Sequence, residues 1–156
     1  MSGYRRYPIG DSCICWSLGN TIEKDISAKI LRVYRLVSNQ KDRLGIMDLV
    51  PAYNAIAVHF DLIETDQRHL IEKVDGIISE LLSEDPSDEL GNQMTNKSHE
   101  IPVVYDGEDL DRVAEINQLT VETVIERHQA VDYVVAMIGF LPHYPYLIGL
   151  DESLVT

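Results

Sequence analysis

The chain has 156 residues and a formal net charge of -13, with ordinary apolar content. It is long enough for one domain or two small ones and too apolar to be disordered. The acidity excludes a phosphate-backbone binder, which needs a basic stripe; Arg5-Arg6 is only a pair and Lys41 to Arg43 contains Asp42.

The N-terminus lacks an apolar signal core, and no apolar run approaches the ~20 residues of a membrane span. A cytoplasmic protein is the expectation. Gly10-Asp11 marks a turn, and Cys13 to Leu18 reads as a strand with Ile14, Trp16 and Leu18 on one face. Cys13 and Cys15 then share the other face, about 7 Å apart by the strand rise. No further Cys-x-x-Cys or His-x-x-x-His pattern accompanies them, so reduced structural thiols are expected and no metal ligand set.

Asn20 is positioned to cap a helix, with Glu23 completing a variant capping box. Ile22, Ile26, Ile30, Val33, Tyr34 and Val37 make its apolar face, and Lys24, Lys29, Arg32 and Arg35 its solvated one. Gly45 ends the connection. Ile46 to Val50 is a strand stopped by Pro51, Tyr53-Asn54 turns the chain, and Ala55 to Asp61 returns as its antiparallel partner. His59 lies within that strand and reads as a satisfied structural histidine. Thr65 or Asp66 caps a second helix with a wide stripe of Leu70, Ile71, Val74, Ile77, Ile78, Leu81 and Leu82. Gly76 within it costs up to about 1 kcal/mol of helix stability.

Glu84 to Glu100 is polar and carries Pro and Gly, as a linker does. Ile101 to Tyr105 reads as a short strand that either closes the first sheet or opens a second domain. Asp106 to Asp109 turns into a helix with Leu110, Val113, Ala114 and Ile116 inward. Thr120 caps the next helix, whose apolar side carries Val121, Val124, Ile125 and His128. His128 is then either a satisfied core histidine or a pocket residue.

Tyr133 to Ile138 reads as a buried strand, and it feeds a loop of two prolines, two glycines and three aromatic rings, Gly139 to Asp151. Prolines make such a loop stiff and extended, and rings on it lose little entropy when they line a pocket. It either plugs one end of a barrel or shapes a site.

Gly139-Phe140-Leu141-Pro142, Tyr144-Pro145-Tyr146-Leu147 and Gly149-Leu150-Asp151 resemble the loop signature of one family: allophanate hydrolase subunit 1, also described as the B-type subunit of 5-oxoprolinase and as the KipI histidine-kinase inhibitor. Three further stretches resemble it in the same order. They are Pro8 to Ser12, Ile46 to Asp61 and Ile101 to Ala114, so the likeness runs from Pro8 to Leu154. Two positions depart from the family pattern: Ala55 replaces a serine and His143 a glycine.

The resemblance implies an α/β protein of the α+β kind, a small ferredoxin-like β-α-β-β-α domain followed by part of a cyclophilin-like β-barrel domain. The expected bounds are residues 1–83 for the first domain, 84–99 for a linker and 100–156 for the incomplete second domain. Family chains run further, so the barrel would be completed by a partner, or stay poorly folded, or the chain is a fragment. By resemblance, His128 is the catalytic candidate. Gly139, Phe140, Pro142, His143, Tyr144, Pro145 and Tyr146 are the substrate-binding candidates. The implied activity is that of one component of an ATP-dependent 5-oxoprolinase, which activates the lactam oxygen of 5-oxoproline as a phosphate and hydrolyses the product to glutamate. ATP is then a cofactor of the whole complex, with a larger carboxyltransferase-like subunit and a lactam-binding subunit as partners. The alternatives are a KipI-like inhibitor that binds a sensor histidine kinase, an inactive fragment, and a urea-degrading carboxyltransferase context.

Overall fold

The structure is a computed structural model that describes residues 3–84 and 97–156. Most of the expected linker, residues 85–96, lies outside the described residues. The chain divides into two compact units, Met1–Ser87 with Val135–Tyr146, and Asp88–Val134 with Leu147–Thr156. The fold is mixed α and β with antiparallel sheets, and no barrel closes among the described residues.

The first unit is built on strands β1 (Arg5–Pro8), β2 (Cys13–Ser17), β3 (Ile46–Pro51) and β4 (Ala55–Phe60) and helices α1 (Lys24–Ser38) and α2 (Gln67–Ser83). The sheet order is β1-β2-β4-β3, with every neighbouring pair antiparallel. Strand β4 therefore lies between β2 and β3, the arrangement of a split β-α-β unit. The strand that completes this sheet is β1, which precedes β2, and not the segment Ile101 to Tyr105. That segment makes no strand among the described residues. β1 is an edge strand of exposed residues, carrying two arginines and ending on Pro8. It has none of the apolar alternation that marks a half-buried strand, and its composition suits an edge.

Alternation decides which face of the sheet meets the helices. Ile14, Trp16, Ile56, Val58, Phe60, Ile46 and Leu49 pack with Ile30, Val33 and Val37 of α1 and Leu70, Val74, Ile78 and Leu81 of α2 in one core. Trp16 is fully buried and its indole Nε1 donates to Asp75 Oδ1 of α2 at 2.8 Å. Asp75 also pairs with Arg6 of β1, the residue opposite Trp16 in the sheet. One helix carboxylate thus ties down the edge strand and satisfies the buried indole. On the opposite face of the sheet, His59 Nε2 lies 3.6 Å from Cys13 Sγ, its partner across the β2–β4 ladder. Cys13 and Cys15 are free and buried.

The caps correct part of the sequence reading. Helix α1 starts at Lys24, its N-cap residue is Glu23 with no side-chain cap, and Ile22 is exposed outside it. Asn20 instead accepts a hydrogen bond from Arg5 Nη2 at 2.6 Å. Asp66 caps α2, accepting from His69 N at 3.1 Å. Gly45 takes φ 64°, and its carbonyl accepts from Thr65 Oγ1 at 2.9 Å, fixing the entry to β3.

The second unit contains helices α3 (Leu110–Ile116) and α4 (Val121–Gln129) and a short 3-10 turn, Glu152–Leu154. Ala114, Val124 and Leu154 form its small core, with Leu110, Val113, Leu119 and Val121 packed around it. Ile116, expected inward, is exposed at the end of α3. Thr120 caps α4, its Oγ1 accepting from Thr123 N at 3.2 Å.

Strands β5 (Val134–Ile138) and β6 (Pro145–Ile148) form a two-stranded sheet. β5 is not the buried strand its apolar run suggests. Only Ala136 is buried, while Val134, Val135 and Ile138 are exposed, because β6 is its one ladder partner among the described residues. The Ala136 carbonyl accepts from the buried Ser27 Oγ of α1 at 3.3 Å.

Candidate functional site

A cavity of about 390 Å³ opens within the second unit. Val104, Leu110, Val113, Val124, Leu150 and Leu154 give it an apolar wall, and Tyr105, Glu108, Asp109 and His128 supply its polar groups. The turn 106–109 leads into α3, and α4 presents His128 one residue before its end. The sequence reading places His128 on the side of α4 that carries Val124, and both line this cavity.

His128 is held from three directions. Its Nδ1 lies 2.7 Å from the Tyr105 hydroxyl. The Tyr133 hydroxyl donates to its backbone carbonyl at 3.1 Å. The two tyrosine rings pack on the imidazole, Tyr105 edge-on with centroids 5.7 Å apart and Tyr133 tilted at 5.2 Å. Burial raises the Tyr133 hydroxyl above its usual pKa, and the neighbouring Tyr105 and Asp151 add to the rise. Tyr133 therefore stays a neutral donor across the ordinary pH range. Asp151 is held below the usual carboxylate range by the hydrogen bonds from the Ser153 hydroxyl and backbone N–H.

Sequence reasoning finds His128 but neither tyrosine. Tyr105 is 23 residues away from it, in a segment whose only local signal is β propensity. The Ile-Pro-Val-x-Tyr-Asp-Gly motif marks Tyr105 as part of a pattern without saying what it touches.

Of the loop candidates, Gly139, Phe140, Pro142, His143 and Tyr144 stand in the β5–β6 connection and Pro145 and Tyr146 open β6, and residues 139–146 belong to the first unit. Phe140 has φ 67°, and Leu141 N donates across it to the Gly139 carbonyl at 2.8 Å, a γ-turn. Tyr144 N then donates to the Leu141 carbonyl at 3.1 Å, closing a four-residue turn with Pro142 second and His143, at φ 62°, third. Proline second and positive φ third is the type II pattern, which favours glycine at the third place. Tyr144 and Tyr146 stack edge to face at 5.3 Å. Phe140 is 87% exposed, and Pro142, His143, Tyr144 and Pro145 are exposed too.

The polar groups on the cavity do not fit a nucleoside triphosphate. Its lining carries the carboxylates Glu108 and Asp109 and no lysine or arginine. No group of three or more His, Cys, Asp or Glu side chains that could hold a metal occurs among the described residues. No helix there is long and apolar enough to cross a membrane.

Residues 4–156 match the family described as carboxyltransferase domain, subdomain C and D. The B-type subunit of 5-oxoprolinase from Bacillus subtilis (strain 168) is 31% identical over 98% of this chain and 66% of its own length. This chain thus spans just under two thirds of that relative. The crystal structure of TTHA0988 superposes with a TM-score of 0.72 at 25% identity, covering 92% of this chain and 26% of that one. The Kluyveromyces lactis urea carboxylase shares the fold at 16% identity, with a TM-score of 0.65 over 95% of this chain and 15% of that one. The chain belongs to the carboxyltransferase domain, subdomain C and D, family.

Proposed function

We propose that this chain is a B-type subunit of an ATP-dependent 5-oxoprolinase. It acts in the cytoplasm with a larger carboxyltransferase-like subunit and a lactam-binding subunit to open 5-oxoproline to glutamate. The observation that carries the reading is the 31% identity to a 5-oxoprolinase B-type subunit along 98% of the chain. The cavity supports it with a histidine held by a tyrosine beside an apolar wall.

ATP is assigned to the complex rather than to this cavity, whose lining offers a triphosphate no lysine or arginine, and the carboxylate of 5-oxoproline must likewise be held by residues of the partner subunits. This chain's part is at the lactam. The lactam oxygen takes the phosphoryl group of ATP, water adds at the carbon so activated, and the ring nitrogen takes a proton as the C–N bond breaks. A held imidazole there hydrogen-bonds the lactam oxygen or the phosphate formed on it, or exchanges the proton at the ring nitrogen. The loop candidates Gly139, Phe140, Pro142, His143, Tyr144, Pro145 and Tyr146 are proposed to contact substrate in the assembled enzyme.

In the reconstituted complex His128→Ala should lower kcat for 5-oxoproline-dependent ATP hydrolysis by about 10²–10⁴-fold. An unchanged kcat removes His128 from the reaction. The second reading, a KipI-like module that binds a sensor histidine kinase, is favoured by the exposed Phe140 and Leu141, which suit a docking surface. Under that reading His128→Ala leaves kinase binding intact and Phe140→Ala weakens it.

A further inference from the structure

We propose that Tyr105 is a positioning residue that holds neutral His128 as its Nε2–H tautomer, so that the imidazole offers the cavity a hydrogen-bond donor rather than a base. The inference rests on the 5-oxoprolinase reading for its substrate, a lactam carbonyl, but the tautomer itself follows from the contacts around the ring.

The Tyr105 hydroxyl and His128 Nδ1 are 2.7 Å apart, and one of them must donate. If the phenol donates, Nδ1 is the acceptor and the ring proton sits on Nε2. If Nδ1 donates, the phenol O–H is left without an acceptor among the described residues, although the pair is part-buried. The first arrangement satisfies the phenol within the protein, whereas the second leaves its O–H to water in the cavity. Tyr133 cannot take over the role, because its own hydroxyl is engaged by the His128 backbone carbonyl. The Tyr105 contact at Nδ1 and the two ring contacts orient the imidazole, while Nε2 makes no hydrogen bond among the described residues and is left for a ligand.

A neutral Nε2–H donor suits an oxygen acceptor, the lactam oxygen or the phosphate formed on it. It fits less well with removing a proton from water, which needs a lone pair at the same atom. The arrangement therefore assigns His128 to the carbonyl oxygen of the lactam and leaves activation of water to another group of the complex.

The test is the ¹⁵N spectrum of the His128 ring in the full chain at about pH 8.5, where an ordinary imidazole is neutral. The expected result is a protonated Nε2 and a bare Nδ1 in the wild type, and a mixture of tautomers in Tyr105→Phe. Protonated Nδ1 in the wild type overturns the proposal, and that spectrum decides even if the variant fails to fold. In the reconstituted complex Tyr105→Phe should lower kcat about tenfold with little change in KM, and an unchanged kcat also overturns it. Failure of the 5-oxoprolinase reading looks different. The wild-type complex then shows no lactam-dependent turnover, whatever the tautomer.

Discussion

Replacing His143 by glycine should stabilise the protein. His143 occupies the third place of the turn Leu141–Tyr144 at φ 62°, where an L-residue crowds its Cβ against the following carbonyl. That crowding costs about 1–2 kcal/mol, and glycine removes it. Glycine returns about 0.5–1 kcal/mol through its freer unfolded chain, so the net gain lies between about 0 and 1.5 kcal/mol. The side chain is exposed and makes no hydrogen bond among the described residues, so little packing is lost. In a chain of this size the gain corresponds to a Tm rise of up to about 6 °C. Urea unfolding of His143→Gly, His143→Asn and His143→Ala reads the effect at constant m-value. The expected order is glycine most stable, asparagine next, alanine close to wild type, because asparagine tolerates left-handed φ better than other side chains. An alanine variant more stable than the glycine one by about 0.5–1 kcal/mol would show that the turn carries no left-handed strain. The resemblance gives this position a glycine in the family, and the turn geometry supplies a reason for it.

Other consequences follow from the first unit. Asp75→Ala should cost about 1–3 kcal/mol in chemical denaturation, because it strands the buried Trp16 indole N–H and frees Arg6; Asp75→Asn, which keeps an acceptor, should recover part of the loss. Asp61 lies below its ordinary value of 3.8 because the backbone N–H groups of Glu64 and Ile63 donate to its carboxylate. Its contribution is therefore present above the unfolded-state pKa and lost as pH falls through the folded one, so Asp61→Asn should flatten the stability profile below about pH 4. Cys13 and Cys15 are buried, and burial, with Cys15 nearby, raises the Cys13 thiol. Both should resist a thiol reagent at neutral pH in the folded protein and react in denaturant; rapid labelling without denaturant would contradict their burial.

The parts of the fold legible in the sequence are those carried by local pattern. The stripe of α2, a cap at Thr65 or Asp66 and the β3–β4 hairpin need only periodicity and turn residues, and each is present, with Asp66 as the cap. What escapes depends on contacts between distant residues. β1 lacks an apolar face, and pairing with β2 is what makes it a strand. Ile101 to Tyr105 has the composition of a strand, but composition cannot supply a ladder partner, and none is present among the described residues. Asn20 has the residue type of a cap, yet its side chain serves Arg5 instead. At the candidate site, periodicity places His128 beside Val124, while its hydrogen bond to Tyr105 spans 23 residues and has no local signal.

The central claim is that this chain works as one subunit of a lactam-opening enzyme. Its most direct test is purification of the tagged chain with whatever assembles on it, followed by assay of the eluate for ATP hydrolysis with and without 5-oxoproline. The account predicts that two other subunits accompany the chain and that ATP hydrolysis depends on 5-oxoproline. Recovery of a sensor histidine kinase with no lactam-dependent hydrolysis would contradict it.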